Sequence, residues 1–151
     1  PSGAQYRRFT LNLAKGSGAI DAMPGAVAGE FPVWNGDYTG IANRYTWLGT
    51  IVENGTPYSF NAYQKIDHQT GELKVHDYGE GRFTSEVNFI SAGPDTAEDE
   101  GYLIYIVYNH ARGKSEIVLV DAKDMEKERS EERRVGKRGD DMGRDESSKT
   151  S

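Results

Sequence analysis

The sequence predicts an all-β fold of antiparallel sheets, about two blades of a β-propeller, followed by a disordered or artefactual charged tail. Three observations predict it. Apolar and polar residues alternate with period two in several short runs, the spacing that turns one face of a strand inward. Glycine-bearing turns separate the runs. The runs also recur: Phe60–Asp67 overlays Lys114–Asp121, and Glu30–Asn35 overlays Glu86–Ser91. A period of about 50 residues carrying four short strands is the size of one propeller blade.

The elements follow in chain order. Ala4–Leu13 is a first candidate strand, and Gly16–Ala28, rich in glycine and alanine, reads as a long connection. Glu30–Asn35 is a short strand opening on a glutamate. Arg44–Val52 sets Tyr45, Trp47 and Ile51 on one face and Leu48 and Val52 on the other. Ser59–Asp67 and Glu72–Tyr78 flank Asp67-His68-Gln69-Thr70-Gly71, where glycine supplies the positive φ that a short hairpin loop needs. Glu86–Ser91 repeats the glutamate-led strand, and Ala92–Glu100 reads as another connection. Gly101–Tyr108 is nearly all apolar and is expected to be buried on both faces. Lys114–Ala122 follows a second glycine-bearing loop, Asn109–Gly113. No strong helix signal is present.

The repeat also predicts where the fold stops. Its fourth strand in the second unit would fall near 126–132, with Lys127 and Arg129 where the first unit has Leu73 and Val75. If those positions face a core, two unpaired charges there are costly, so the strand is expected to be missing or replaced. The last 26 residues hold 16 charges, eight of each sign, and no aromatic. Such a composition reads as disordered or, at best, as an exposed helix. Arg129–Lys137 resembles the translation of a sequencing-library adapter, which implies native sequence only to about Met125. The expected division is therefore 1–125, partial propeller, and 126–151, charged tail outside the fold.

Composition excludes several functions. With no cysteine there is no disulfide, thiolate metal site or cysteine nucleophile. No apolar run approaches a membrane span. The net charge of −6 falls wholly on the first 125 residues, without a basic stripe, which argues against nucleic acid. The N-terminus has no initiator Met and no signal-peptide pattern. Localisation is not readable from the sequence, and a cytoplasmic one is the default expectation.

Most candidate site residues read as structural. His68 and His110 lie in predicted turns and His76 near a strand end, with no spacing that lets two share a metal, so all three read as surface histidines. Glu98-Asp99-Glu100 lacks the alternate spacing of a calcium loop and reads as a solvated loop. Asn54-Gly55-Thr56 is a formal glycosylation sequon. Trp34, Tyr38, Trp47 and Tyr58 could line a ligand groove, but strand aromatics usually serve packing. Glu30 and Glu86 differ from these. They hold equivalent repeat positions at the start of short strands, and the first strand of a propeller blade lines the axis. Two carboxylates from neighbouring blades would then point at one axial site, able to bind metal or to accept the second N–H of a metal-bound histidine.

Over about residues 5–125 the sequence resembles the carotenoid cleavage oxygenases, which include apocarotenoid and lignostilbene dioxygenases. The resemblance rests on Gly29-Glu-Phe-Pro32, Arg44-Tyr45, the block Asp77–Ile90, Ala97-Glu-Asp-Glu-Gly-Tyr-Leu103 and Ser115–Asp124. It implies a C-terminal-half fragment of a seven-bladed propeller with an apolar substrate tunnel. It further implies four axial histidines on a non-haem Fe(2+), three of them oriented by glutamates, of which Glu30 and Glu86 match two. None of the four iron ligands is in this chain. The last belongs to a Gly-Phe-His-Gly motif expected past Met125, where the charged tail stands. Val33-Trp34 also departs from the usual basic residue and Ile. The implied reaction is oxidative cleavage of a conjugated C=C bond by O2 in an apolar small molecule, giving two carbonyl products. The fragment alone is expected to bind no iron and to be inactive. The competing expectation is a non-catalytic propeller module that binds a partner or a sugar through aromatics. A complete small acidic domain would instead need 126–151 to be ordered.

Overall fold

The computed structural model describes residues 4–23, 28–52, 59–126 and, by backbone alone, 128–131. The described residues form antiparallel sheets throughout, with a single 3-10 turn at Gly36–Tyr38 and no α-helix. Strands β1 (Arg7–Asn12) and β2 (Ser17–Ala22) make a hairpin. The first four-stranded sheet runs in sequence order: β3 (Gly29–Val33), β4 (Tyr45–Thr50), β5 (Ala62–Asp67), β6 (Leu73–Asp77). The second repeats that order. β7 (Arg82–Thr84) and β8 (Asn88–Ser91) both pair with β9 (Gly101–Asn109), then come β10 (Lys114–Asp121) and β11 (Glu128–Glu131). This is the blade order that the repeat predicts.

One local device builds most of the hairpins. Asp67 Oδ1 accepts the N–H groups of Gln69 and Thr70 at 2.8 and 3.3 Å, and the turn closes at Gly71 with φ +76°. Asp121 Oδ1 does the same for Lys123 and Asp124 at 2.9 and 3.0 Å, closing at Met125 with φ +57°. Asn12 and Asn109 each accept the N–H three residues on, closing at Gly16 and Gly113, both at φ +59°. An Asx side chain thus holds the loop while the fifth residue takes the left-handed conformation. The Asn12 turn adds a third copy of the outer-hairpin turn, about 55 residues before Asp67.

The two larger sheets meet in one core. Trp47, fully buried, stacks on Phe89 at 4.8 Å and donates its indole N–H to Ala122 O at 3.1 Å. Tyr63 packs on Tyr105 at 4.3 Å, and Leu103, Val107, Val118, Val120 and Met125 belong to the same cluster. A backbone bridge, Thr84 N–H to Phe60 O at 2.8 Å, joins the sheets at one edge.

Four expectations are corrected. Gly16–Ala28 is not simply a connection, because Ser17–Ala22 forms β2. Its small side chains carry no strand signal, and the strand is specified by pairing with β1. β9 is buried on one face, not two: Gly101, Leu103, Tyr105 and Val107 face the core while Tyr102, Ile106 and Tyr108 are exposed. The fourth strand of the second unit is present as β11, paired with β10 from Ile117↔Glu131 to Val120↔Glu128. The premise against it fails, since Val75 in the first unit is itself 47% exposed. The pairing needs only backbone groups. Finally, the acidic run is not a solvated loop, as described next. The sequon, Tyr58, Lys127 and residues 132–151 lie outside the described residues.

Candidate functional site

Glu30 lies on β3 opposite Gly49, which in turn faces Tyr63 and then His76 across the sheet. Residues directly opposite share a face, so Glu30 belongs to the side of the sheet that carries Tyr63. The pairing then slips: Glu30↔Gly49 is followed by Val33↔Trp47, three steps against two. The extra residue is a β-bulge, and Phe31-Pro32 explains it. Pro32 cannot donate to the ladder, and Phe31 takes φ +53°, unusual for a bulky residue. The Phe31 ring meets Phe60 edge-on at 5.9 Å, and Phe60 fills the space that a side chain at Gly49 would need.

Glu86 occupies the matching place in the second sheet. Thr84↔Val107 is followed by Asn88↔Ile104, four steps against three, so one extra residue again lies beside the glutamate. Ser85, Glu86 and Val87 form the break between β7 and β8. Both glutamates are exposed, and neither carboxylate hydrogen-bonds to any described residue. The structure therefore puts the two predicted residues at matching points of successive sheets, Glu30 on β3 beside its bulge and Glu86 in the bulged break between β7 and β8.

The other candidates separate from this pair. Trp47 is core, while Trp34 is exposed with its indole N–H tied to Thr39 at 3.1 Å. His110 is exposed, and His76 lies edge-on to Tyr78 at 4.6 Å. His68 corrects the surface reading. It is half-buried, with Nε2 2.8 Å from Thr46 Oγ1, its Nδ1 is buried without a partner, and burial pushes its pKa down. No group of three His, Asp or Glu able to hold a metal occurs among the described residues. The donor set thus does not fit direct metal coordination.

The acidic run is a junction between the sheets. Glu98 Oε1 accepts the N–H groups of Arg44 and Tyr45 at 2.6 and 2.8 Å. Asp99 is buried against Lys65 at 2.6 Å, and the Lys65 ammonium lies 4.3 Å from the centre of the Tyr45 ring. Arg44 pairs with Asp67 at 2.7 Å, and its guanidinium holds the Asp67 carboxyl well below the usual range. A cleft of about 210 Å³ opens over these residues. Three of its four cations, Arg44, Lys65 and Lys123, are matched by acids within the fold, so it reads as a polar seam.

Sequence reasoning missed Tyr63 and Ser85. Tyr63, buried on β5, donates its hydroxyl to Ser85 O, next to Glu86. Nothing in the local pattern marks a 22-residue contact between sheets.

Comparison with known proteins agrees with this geometry. The family described as Retinal pigment epithelial membrane protein matches residues 1–131. The chain is 35% identical over 111 residues to carotenoid 9,10(9',10')-cleavage dioxygenase 1 of Pisum sativum, covering 66% of this chain and 20% of that protein. It is 27% identical over 121 residues to apocarotenoid-15,15'-oxygenase of Synechocystis, covering 80% and 24%. A solved structure of the Synechocystis apocarotenoid oxygenase superposes with a TM-score of 0.76 at 26% identity, covering 83% of this chain and 26% of that one. The same protein has been solved in a cobalt-substituted form. The chain thus spans about a fifth to a quarter of these relatives. The match over residues 1–131, with the shared fold of its two blade-like sheets, places the chain in the carotenoid cleavage oxygenase family.

Proposed function

We propose that the whole protein containing this chain cleaves a conjugated C=C bond of a carotenoid-like apolar substrate with O2. One alkene and one O2 give two carbonyl compounds, so the atoms balance without a further reductant. A ferrous ion held by histidines with open positions supplies the O2 chemistry when bound. In this reading the chain contributes neither that ion's ligands nor the reacting atoms. Glu30 and Glu86 each accept the outer N–H of a histidine from the rest of the protein, fixing its tautomer and ring orientation and raising its basicity. The observation that supports the reading is the equivalent placement of two carboxylates, without hydrogen-bond partners among the described residues, on β3 and in the break between β7 and β8.

The test is made in the full-length protein. Glu30→Gln and Glu86→Gln are each expected to weaken iron affinity or turnover by ~10–100-fold. Chelator competition measures the first and product formation the second. Unchanged values in both variants remove the assignment. Expressed alone, the 151-residue chain is expected to bind no iron and to turn over no substrate. A cooperative melt that shifts upward on adding ferrous ion would contradict this.

A further inference from the structure

The bulge carrying Glu86 has its own retaining device, and it differs from the one beside Glu30. In a regular antiparallel ladder a hydrogen-bonded pair exchanges two backbone bonds. Ser85 and Ile106 exchange one: Ser85 N–H donates to Ile106 O at 2.9 Å. The return bond goes elsewhere. Ile106 N–H donates to Ser85 Oγ at 3.0 Å, and the same hydroxyl donates to Glu86 O at 3.0 Å. The Ser85 carbonyl, released from the ladder, accepts the Tyr63 hydroxyl from the first sheet. Val87, buried on the far side of Glu86, pins the other end.

We infer that Tyr63 and Ser85 are positioning residues that hold the bulge open and thereby aim the Glu86 carboxylate. The inference rests on the reading of Glu86 given above. Without the Tyr63 hydroxyl, the Ser85 carbonyl is free to return to Ile106 N–H, which extends the β7 ladder by one pair and pushes the extra residue on to Glu86 and Val87. A one-residue change of register turns a side chain to the opposite face, so Glu86 would leave its aim although no group on it had changed. Tyr63 suits the task. Burial pushes its phenol well above the ordinary range, against a hydrogen bond with Thr84 that lowers it and together with the nearby Glu86 charge. Its ring is held independently by Tyr105.

The experiment is a double-mutant cycle on iron affinity in the full-length protein, read by chelator competition. Tyr63→Phe keeps the ring in its packing site and removes only the donor. Ser85→Ala removes the hydroxyl, and Ser85→Thr restores one. Tyr63→Phe and Ser85→Ala are each expected to weaken iron binding about tenfold, within the range for outer partners of metal ligands. Ser85→Thr is expected to stay near the parent. In a Glu86→Gln background, Tyr63→Phe should add less than about a twofold change, because the two act as one unit. If Glu86→Gln weakens binding while Tyr63→Phe and Ser85→Ala do not, the inference falls and the Glu86 assignment stands. Equal effects of Tyr63→Phe with and without Glu86 mark a merely structural role and also overturn it. If Glu86→Gln itself is silent, the site assignment falls and takes this inference with it.

Discussion

β4 and β5 in the first sheet are buried on both faces, whereas β9 and β10 in the second are buried on one. Composition does not explain the difference. The outer face of the first sheet mixes Thr46, Thr50 and Gln64 with Leu48, Ala62 and Ile66 and is buried. The outer face of the second carries Tyr102, Ile106, Tyr108 and Ile117 and is exposed. What differs is what stands opposite. Near one corner of the first sheet, Tyr6 reaches Thr46 and Ala4 accepts the Gly29 N–H. Strand hydrophobicity therefore reports the capacity to be covered, and partners decide whether the cover is there.

The largest test of this comparison lies at the seam. Asp99→Asn leaves the buried Lys65 without its counter-charge and is expected to cost about 3–5 kcal/mol of stability, read by denaturant unfolding. Replacing the pair together, Lys65→Met with Asp99→Leu, should recover most of that loss. An equal cost for the double variant would show that the sheets are not joined through this pair.

The next test sets the two matching turns against each other. Gly71→Ala meets nothing within 4 Å, so only its left-handed backbone matters, at about 1–2 kcal/mol. Met125→Gly relieves a similar strain but removes a buried core side chain worth ~2–5 kcal/mol. The net expectation is a loss of about 1–3 kcal/mol. A gain in melting temperature for Met125→Gly would mean that the second turn is held by its backbone, like the first.

The smallest effect is the response to acid. The Arg44 guanidinium depresses the folded-state pKa of Asp67 below its unfolded value of about 4. Its contribution is therefore complete above that value and is lost as pH falls below it. Asp67→Asn should flatten the acid limb of a stability-against-pH curve below about pH 5 and leave its shape near neutrality unchanged. An unaltered acid limb would place the titrating contact elsewhere.

Much of the architecture was legible because its signals are local. Alternation marked β4, β5, β6 and β10, an apolar run marked β9, and the Asp67 and Asn109 turns carried their glycines in sequence. The glutamate-led strands were visible only through the repeat, and their family resemblance pointed to the same residues. The misses share a cause. β2 has little but Ile20 to mark it and exists by pairing. Asp99 looks like a solvated acid until Lys65, 34 residues away, is placed beside it. Ser85 and Tyr63 carry no pattern at all, because their role is a bond between sheets.

The recurring Asx turn has a consequence for how the chain assembles. Each copy closes over five residues and fixes strand alignment from within, so a hairpin can settle on the microsecond scale typical of such units. The bonds between sheets span far longer loops, as from Trp47 to Ala122, and must await a slower search. Finished hairpins are then what collide, and a slipped ladder is corrected inside its own loop before it can be trapped by its neighbour.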